Sequence, residues 1–417
     1  MTDATFDQNL RKYANLLVKV GVNLREGDLL HLTVSLSDDP TIRKLAHYTI
    51  EAAYQAGAKY VDVNWNDEYE AKLRVLHAPD GTLDYFPSWR VKAMENYAAE
   101  GVSRLVIHAN NPALLVGLEP ERVSAIQRSR QAATAHLSTV LFDENIWSLT
   151  AVPVREWADM VFADAEEAER VLLLWDANFK AMRIDEDDPV SAWRAHQENL
   201  VQRANTLNEK HYTALHFTGE GTDLTVGLPE LHLWEGGGAE HRSGRRFVPN
   251  MPTEEIFTTP HRDRVNGTVK ATKPLSYAGD MIDGFTLRFE DGRVGGFDAE
   301  GGGALLQKLL DTDEGARRLG EVALVPESSP IAQSGILFLN TLFDENAACH
   351  LALGRASART LQGGTTMETE QFSAAGGNIS QTHVDFMIGG ASMDVDGITA
   401  DGVREAVMRQ GEWAYSV

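Results

Sequence analysis

Cysteine is nearly absent: Cys349 stands alone among 417 residues. That excludes an intrachain disulfide and the stapled frameworks of small secreted domains, so a reducing, cytoplasmic compartment is expected. The segment Met1-Thr2-Asp3-Ala4-Thr5-Phe6-Asp7 has neither the basic nor the apolar part of a secretory signal. Long apolar runs are missing too. Stretches such as Val171 to Trp175 fall far short of the roughly 20 residues of a membrane helix, and no membrane association is expected. Positive charge is scarce, with 38 Lys plus Arg against 61 Asp plus Glu and a net charge of −23. Nucleic-acid affinity comes largely from cations on phosphates, so no nucleic-acid partner is expected.

Several motifs are also lacking. There is no Gly-x-Ser-x-Gly elbow, no Walker A loop and no His-Glu-x-x-His pair. Gly219-Glu220-Gly221 wants the third glycine of a dinucleotide fingerprint, and Gly236-Gly237-Gly238 is not set between a strand and a helix. The acids Asp185 to Asp188 lack the spacing and glycine of an EF-hand and read as a solvated linker. His241, Arg242, Arg245 and Arg246 form a compact basic patch, read as a solvated loop.

What remains is an ordinary globular mixture, 43% hydrophobic and 24% charged, long enough for about two or three domains. Leu10, Tyr13, Ala14, Leu17 and Val18 follow helical spacing within Phe6 to Val20. Strands are predicted at Asp28 to Ser35, Tyr60 to Trp65, Arg104 to His108 and Thr139 to Phe142. Helices are predicted between them, near Thr41 to Ala56, Ser88 to Ala99 and Pro120 to Ala135. This alternation predicts a mostly parallel α/β domain over residues 1–188. After the acidic run comes a helix at Ala192 to Asn208, and then closely spaced strands. They include Gly284 to Phe289 and Arg293 to Asp298, which flank Glu290-Asp291-Gly292. Asp-Gly between apolar strands signals a hairpin. Residues 189–417 are therefore expected to form an α+β domain rich in antiparallel sheet, giving α/β plus α+β for the whole chain.

Metal-capable residues are scattered through the second half. In Thr382-His383-Val384-Asp385-Phe386 the period of a strand puts His383 and Asp385 on one face. His350, Glu321 and Glu255 are each set among apolar residues, where an ionisable group is costly unless paired or metal-bound. Cys349 and His350 are adjacent in a strand-like run and would point apart, which argues against a Cys–His catalytic pair.

Four ordered blocks carry a resemblance. Asn250-Met251-Pro252-Thr253-Glu254-Glu255-Ile256-Phe257, Arg318-Leu319-Gly320-Glu321-Val322-Ala323-Leu324, Asn340 to Gly354 (NTLFDENAACHLALG) and His383-Val384-Asp385 resemble the thermophilic aminopeptidase family (aminopeptidases T, S and PepS). The likeness extends over nearly the whole chain. It implies a cytoplasmic, homodimeric exopeptidase that acts on short peptides through a water activated by two divalent metals. By the same resemblance Glu255, Glu321, His350, His383 and Asp385 are the metal ligands, with Glu321 bridging. Oxygen and imidazole donors suit zinc, cobalt or manganese. Glu254, beside a ligand, is a candidate general base by position. One position departs from the family, which has a tyrosine seven residues after the histidine matching His350; here it is Ser357. A shorter hydroxyl at a catalytic position leaves a second reading, a catalytically impaired homologue that binds metal and peptides. A nucleotide-dependent oxidoreductase built on the N-terminal domain rests on fold analogy alone.

Overall fold

The computed structural model describes residues 3–137 and 139–417. The chain divides into two compact units, one holding residues up to Ala195 together with Gly238–Pro252, the other His196–Gly237 and Thr253–Val417.

The first unit is built on a five-stranded sheet whose pairings are all parallel. Its strand order is Asn250–Met251, Trp147–Ala151, Ser103–His108, Leu29–Ser35, Tyr60–Asn66. Leu30, Leu32 and Val34 bury one side of the Leu29–Ser35 strand, as period two requires. The following helix, Pro40–Gln55, starts where Asp39 accepts the Thr41 N–H at 2.8 Å and proline occupies the first helical turn. Both residues suit a helix N-terminus.

The strand expected at Thr139 to Phe142 is a helical segment instead, Thr139–Glu144, and the fourth strand is Trp147–Ala151. Thr139 and Val140 are β-branched, yet the segment is helical as far as Glu144. The break comes only at Asn145.

The second half is antiparallel, as expected. An eight-stranded sheet runs from Arg293–Asp298 to Glu412–Trp413. Its predicted hairpin pairs Glu290 with Arg293 across Asp291-Gly292, both with positive φ (46° and 80°). That is the conformation Asp-Gly hairpins favour. A five-stranded sheet has the order His383–Met387, His350–Gly354, Leu319–Leu324, Ile256–Thr258, Glu235–Gly236. Ile256, Val322, Leu324, Leu351, Leu353 and Phe386 are buried in one apolar core with residues of the larger sheet.

The division of the chain also differs from the one composition suggested. Pro189–Lys210 is one unbroken helix. Asp188 caps it, accepting from the Ser191 N–H (3.2 Å) and hydroxyl (2.6 Å), so the acidic run is a helix start rather than a linker. Residues 238–252 return to the first unit, because Asn250–Met251 extends its parallel sheet beside Trp147–Ala151. No helix among the described residues is long and apolar enough to cross a membrane.

Candidate metal centre

Register decides which side chains share a face of the five-stranded sheet, because directly opposed residues project to the same side. Ala323 lies opposite both Phe257 and His350, and His350 opposite Met387. One row further, Glu321 faces Ala352 and Ala352 faces Asp385; beyond them Gly354 faces His383. Glu321, His350, Asp385 and His383 therefore project from one face, over a floor kept low by Ala323, Ala352 and Gly354. Glu255 immediately precedes the Ile256–Thr258 strand and joins them. The opposite face is the apolar core.

A bulge makes this possible. The pairing skips Gly320, so Leu319 opposes Leu353 while Glu321 opposes Ala352. In a regular strand Leu319 and Glu321 would share a face. The extra residue sends Leu319 into the core and Glu321 to the other side, a known use of bulges beside active sites. Only glycine fits at 320, since a Cβ there would lie 2.4 Å from the carbonyl oxygens of Gly354 and Arg355.

All five residues singled out by the sequence come together. Ligand atoms of Glu255, Glu321 and His350 lie within 4.8 Å of one another, and those of Glu321, His383 and Asp385 do likewise, so Glu321 is common to both groups. His350 Nε2 is 3.0 Å from Glu255 Oε2 and 3.6 Å from Glu321 Oε1. His383 Nε2 is 3.4 Å from Asp385 Oδ1 and 3.8 Å from Glu321 Oε2. The other ring nitrogens are engaged with backbone carbonyls, His350 Nδ1 with Ala348 (3.1 Å) and His383 Nδ1 with Arg355 (2.7 Å). A proton on Nδ1 leaves Nε2 as the lone-pair donor, the arrangement of metal-binding histidines.

The polar atoms are not satisfied among themselves. Glu255 Oε2 and Asp385 Oδ1 are buried and make no well-aligned hydrogen bond, their contacts with His350 and His383 being ion-pair approaches only, a costly state that a cation would relieve. Burial, with Glu255 and Asp385 nearby, raises the Glu321 carboxyl above its ordinary range. Burial works against a charged His383, yet Asp385 and then Glu321 lift it to about 9. His350 is raised for the same reason, burial being overcome by Glu255 and Glu321. The carboxylates thus create a strong demand for positive charge, and the donor set fits divalent ions that accept oxygen and imidazole.

Glu345 belongs to this environment and was not singled out by sequence reasoning. It sits in a short turn of helix, Glu345–Ala347. Its carboxyl is pushed well above the usual range by burial and by the charges of Glu255, Asp385 and Glu321, with His350 acting in the opposite sense. The available signal was a carboxylate five residues before His350, next to Asp344 and Asn346 in the same block. A helical turn, however, has no alternation from which its direction could be read.

Glu254 is directed elsewhere, as alternation with Glu255 requires. It is buried, its Oε2 3.4 Å from His196 Nε2, and its N–H donates to Asn346 Oδ1 at 2.7 Å. Ser357 is half-buried beside the same sheet. Its carbonyl accepts from the hydroxyls of Thr259 and Thr360, both at 3.1 Å. Cys349 is buried in the apolar core while the neighbouring His350 faces the carboxylates, and burial raises its thiol to about 11.

Residues 6–413 match the thermophilic metalloprotease (M29) family. The chain belongs to this family. It is 47% identical to aminopeptidase 2 of Geobacillus stearothermophilus, covering 99% of each chain. It is 46% identical to aminopeptidase AmpS of Bacillus subtilis, over 99% of this chain and 100% of that one. The solved structure of wild-type AmpT from Thermus thermophilus superposes with a TM-score of 0.91 at 42% identity, covering 98% of this chain and 100% of its own. The mixed α/β architecture is therefore the fold of an M29 metalloprotease, and the chain is an enzyme of the hydrolase class.

Proposed function

We propose that this M29 protein is a cytoplasmic, homodimeric aminopeptidase that removes N-terminal residues from short peptides at a centre of two divalent ions. The observation that carries the reading is the single sheet face on which Glu255, Glu321 and His350 form one ligand group and Glu321, His383 and Asp385 another. The relatives' names supply the exopeptidase class. Homodimer and cytoplasm follow from the family resemblance and the single cysteine.

The residues divide the work as follows. Glu255 and His350 would hold one ion and His383 and Asp385 the other, Glu321 being common to both ligand groups. Zinc, cobalt or manganese bound there would polarise the scissile carbonyl and lower the pKa of water. Glu345 takes the proton of the attacking water and passes it to the leaving amine. Glu345 is the carboxyl of this environment that belongs to neither ligand group, which leaves it for proton transfer. Glu254, turned toward His196, supports the backbone of the ligand beside it instead. Ser357 is tied to this sheet through its carbonyl, which accepts from the hydroxyl of Thr259, the residue after the strand Ile256–Thr258.

The test is release of amino acids from di- and tripeptides by protein stripped with chelator and resupplied separately with zinc, cobalt, manganese and magnesium. Metal-restored cleavage confined to the N-terminal bond supports the proposal; full activity in the stripped protein refutes it. A second reading, an impaired peptide-binding homologue, is favoured by Ser357 alone. A large gain in turnover in Ser357→Tyr supports it; no gain supports a working site.

A further inference from the structure

The metal face extends one strand beyond its ligands. In the edge strand Glu235–Gly236, Glu235 lies directly opposite Phe257 and Gly236 opposite Ile256. Glu235 thus shares the face of Phe257, Ala323 and His350, while Gly236 lies over the core, where a Cβ would meet Ile256 Cγ2 at 2.4 Å. On this edge Glu235 is the diagonal neighbour of Glu255, a relation that separates side-chain bases by about 7–8 Å. Its side chain is 29% exposed, and Arg359 Nε, of a side chain 25% exposed, lies 3.5 Å from Oε2.

The strand that carries it is rigid. The Trp234 N–H donates to Asn208 Oδ1 (2.8 Å), and Asn208 Nδ2 returns a bond to the Trp234 carbonyl (2.9 Å). The Leu233 N–H donates to Thr360 O (2.9 Å), and Gln197 Nε2 to Gly237 O (3.1 Å). Such anchoring fixes a recognition group to the precision specificity needs.

An enzyme confined to N-terminal bonds must recognise the free α-ammonium, which lies only two bonds from the scissile carbonyl carbon. The carboxylates of the ligand groups would be committed to ions, Glu254 is buried against His196, and Glu345 is within the cluster. From these placements we infer that Glu235 is the specificity residue that receives the substrate's α-ammonium, and that Arg359 neutralises it until substrate arrives. Glutamate's length added to the N–Cα–C unit of the substrate spans the distance from the edge strand to a carbonyl held beside Glu255. Phe257, half-buried between them, supplies an apolar wall that excludes water and strengthens the charge–charge contact. The inference rests on the aminopeptidase reading and deepens it.

The experiment compares zinc-loaded, full-length wild type with Glu235→Gln on leucyl-glycyl-glycine and on the analogue whose α-amine is replaced by hydroxyl. A charge-assisted hydrogen bond is worth about 10- to 100-fold. Glu235→Gln should raise KM for the tripeptide by about that factor, leave kcat within about threefold, and collapse the preference for amine over hydroxyl by a similar factor. Zinc per chain should not change, and Glu235→Asp should recover part of the preference. A Gln variant that keeps the amine preference overturns the inference, and so does one that loses zinc along with activity, since Glu235 would then serve the ions. Calorimetric binding of both probes to wild type and variant separates this from the parent reading. If no peptide is cleaved under any metal, the aminopeptidase reading fails; Glu235 is then judged on whether the tripeptide, and not its hydroxyl analogue, loses affinity in Glu235→Gln.

Discussion

Replacing Glu321 by glutamine keeps the volume of the side chain and removes the one charge shared by both ligand groups. Its effect should reverse sign with metal. Without ions the wild-type face crowds Glu255, Glu321, Glu345 and Asp385, and the Glu321 carboxyl is raised by burial and by Glu255 and Asp385. A group raised in the folded state destabilises the fold when ionised, above its ordinary titration range near pH 4.5. Glu321→Gln without metal is therefore expected to melt above metal-free wild type at pH 7.5. With ions the order inverts. An ion present at about 100 times its Kd stabilises by about 2.7 kcal/mol, which for a unit of this size raises Tm by about 5–10 °C per ion. Wild type should gain this twice, Glu255→Gln once, and Glu321→Gln little or nothing. Differential scanning calorimetry with chelator or with zinc, paired with metal analysis, reads both effects. Equal metal-induced shifts in wild type and Glu321→Gln would refute the reasoning, as would a metal-free variant less stable than metal-free wild type.

Three further outcomes follow from buried groups. His232 is 2% exposed, and burial lowers its pKa from 6.5 to about 4. Stability from the neutral ring is complete above pH 6.5 and lost as pH falls toward 4, by about 3 kcal/mol in all. Urea unfolding of wild type should show that loss and His232→Phe should not; parallel pH profiles would contradict it. Cys349 should resist thiol reagents in the native enzyme and react only on unfolding, checked by labelling with and without denaturant. Asn346→Ala removes the acceptor of the buried Glu254 N–H and the donor to the Leu342 carbonyl at 3.0 Å. It should cost about 1–3 kcal/mol and lower metal affinity by displacing the backbone beside Glu255, read by unfolding and zinc titration.

Much of this was legible in the residues. Strict alternation in His383-Val384-Asp385 put its two polar groups on one face, and adjacency sent Cys349 away from His350; both hold in the structure. The parallel and antiparallel halves followed from the spacing of strands and helices. What stayed hidden depends on parity or distance. Simple alternation would have placed Glu321 with Leu319, and the Gly320 bulge reverses it. Glu345 lies in a helical turn, where period two says nothing. The strand Asn250–Met251 joins a sheet whose other strands end about a hundred residues earlier, by the residue numbers, so local pattern could not place it. The helical segment at Thr139–Glu144 shows propensity overridden by its context.

The most direct test is anomalous diffraction at the zinc edge from crystals of the zinc-loaded enzyme. Two peaks a few Å apart are expected on the face of the five-stranded sheet, one touching Glu255 and His350, one touching His383 and Asp385, and both touching Glu321. Peaks elsewhere, or a single ion that Glu321 does not contact, would contradict the two-ion centre.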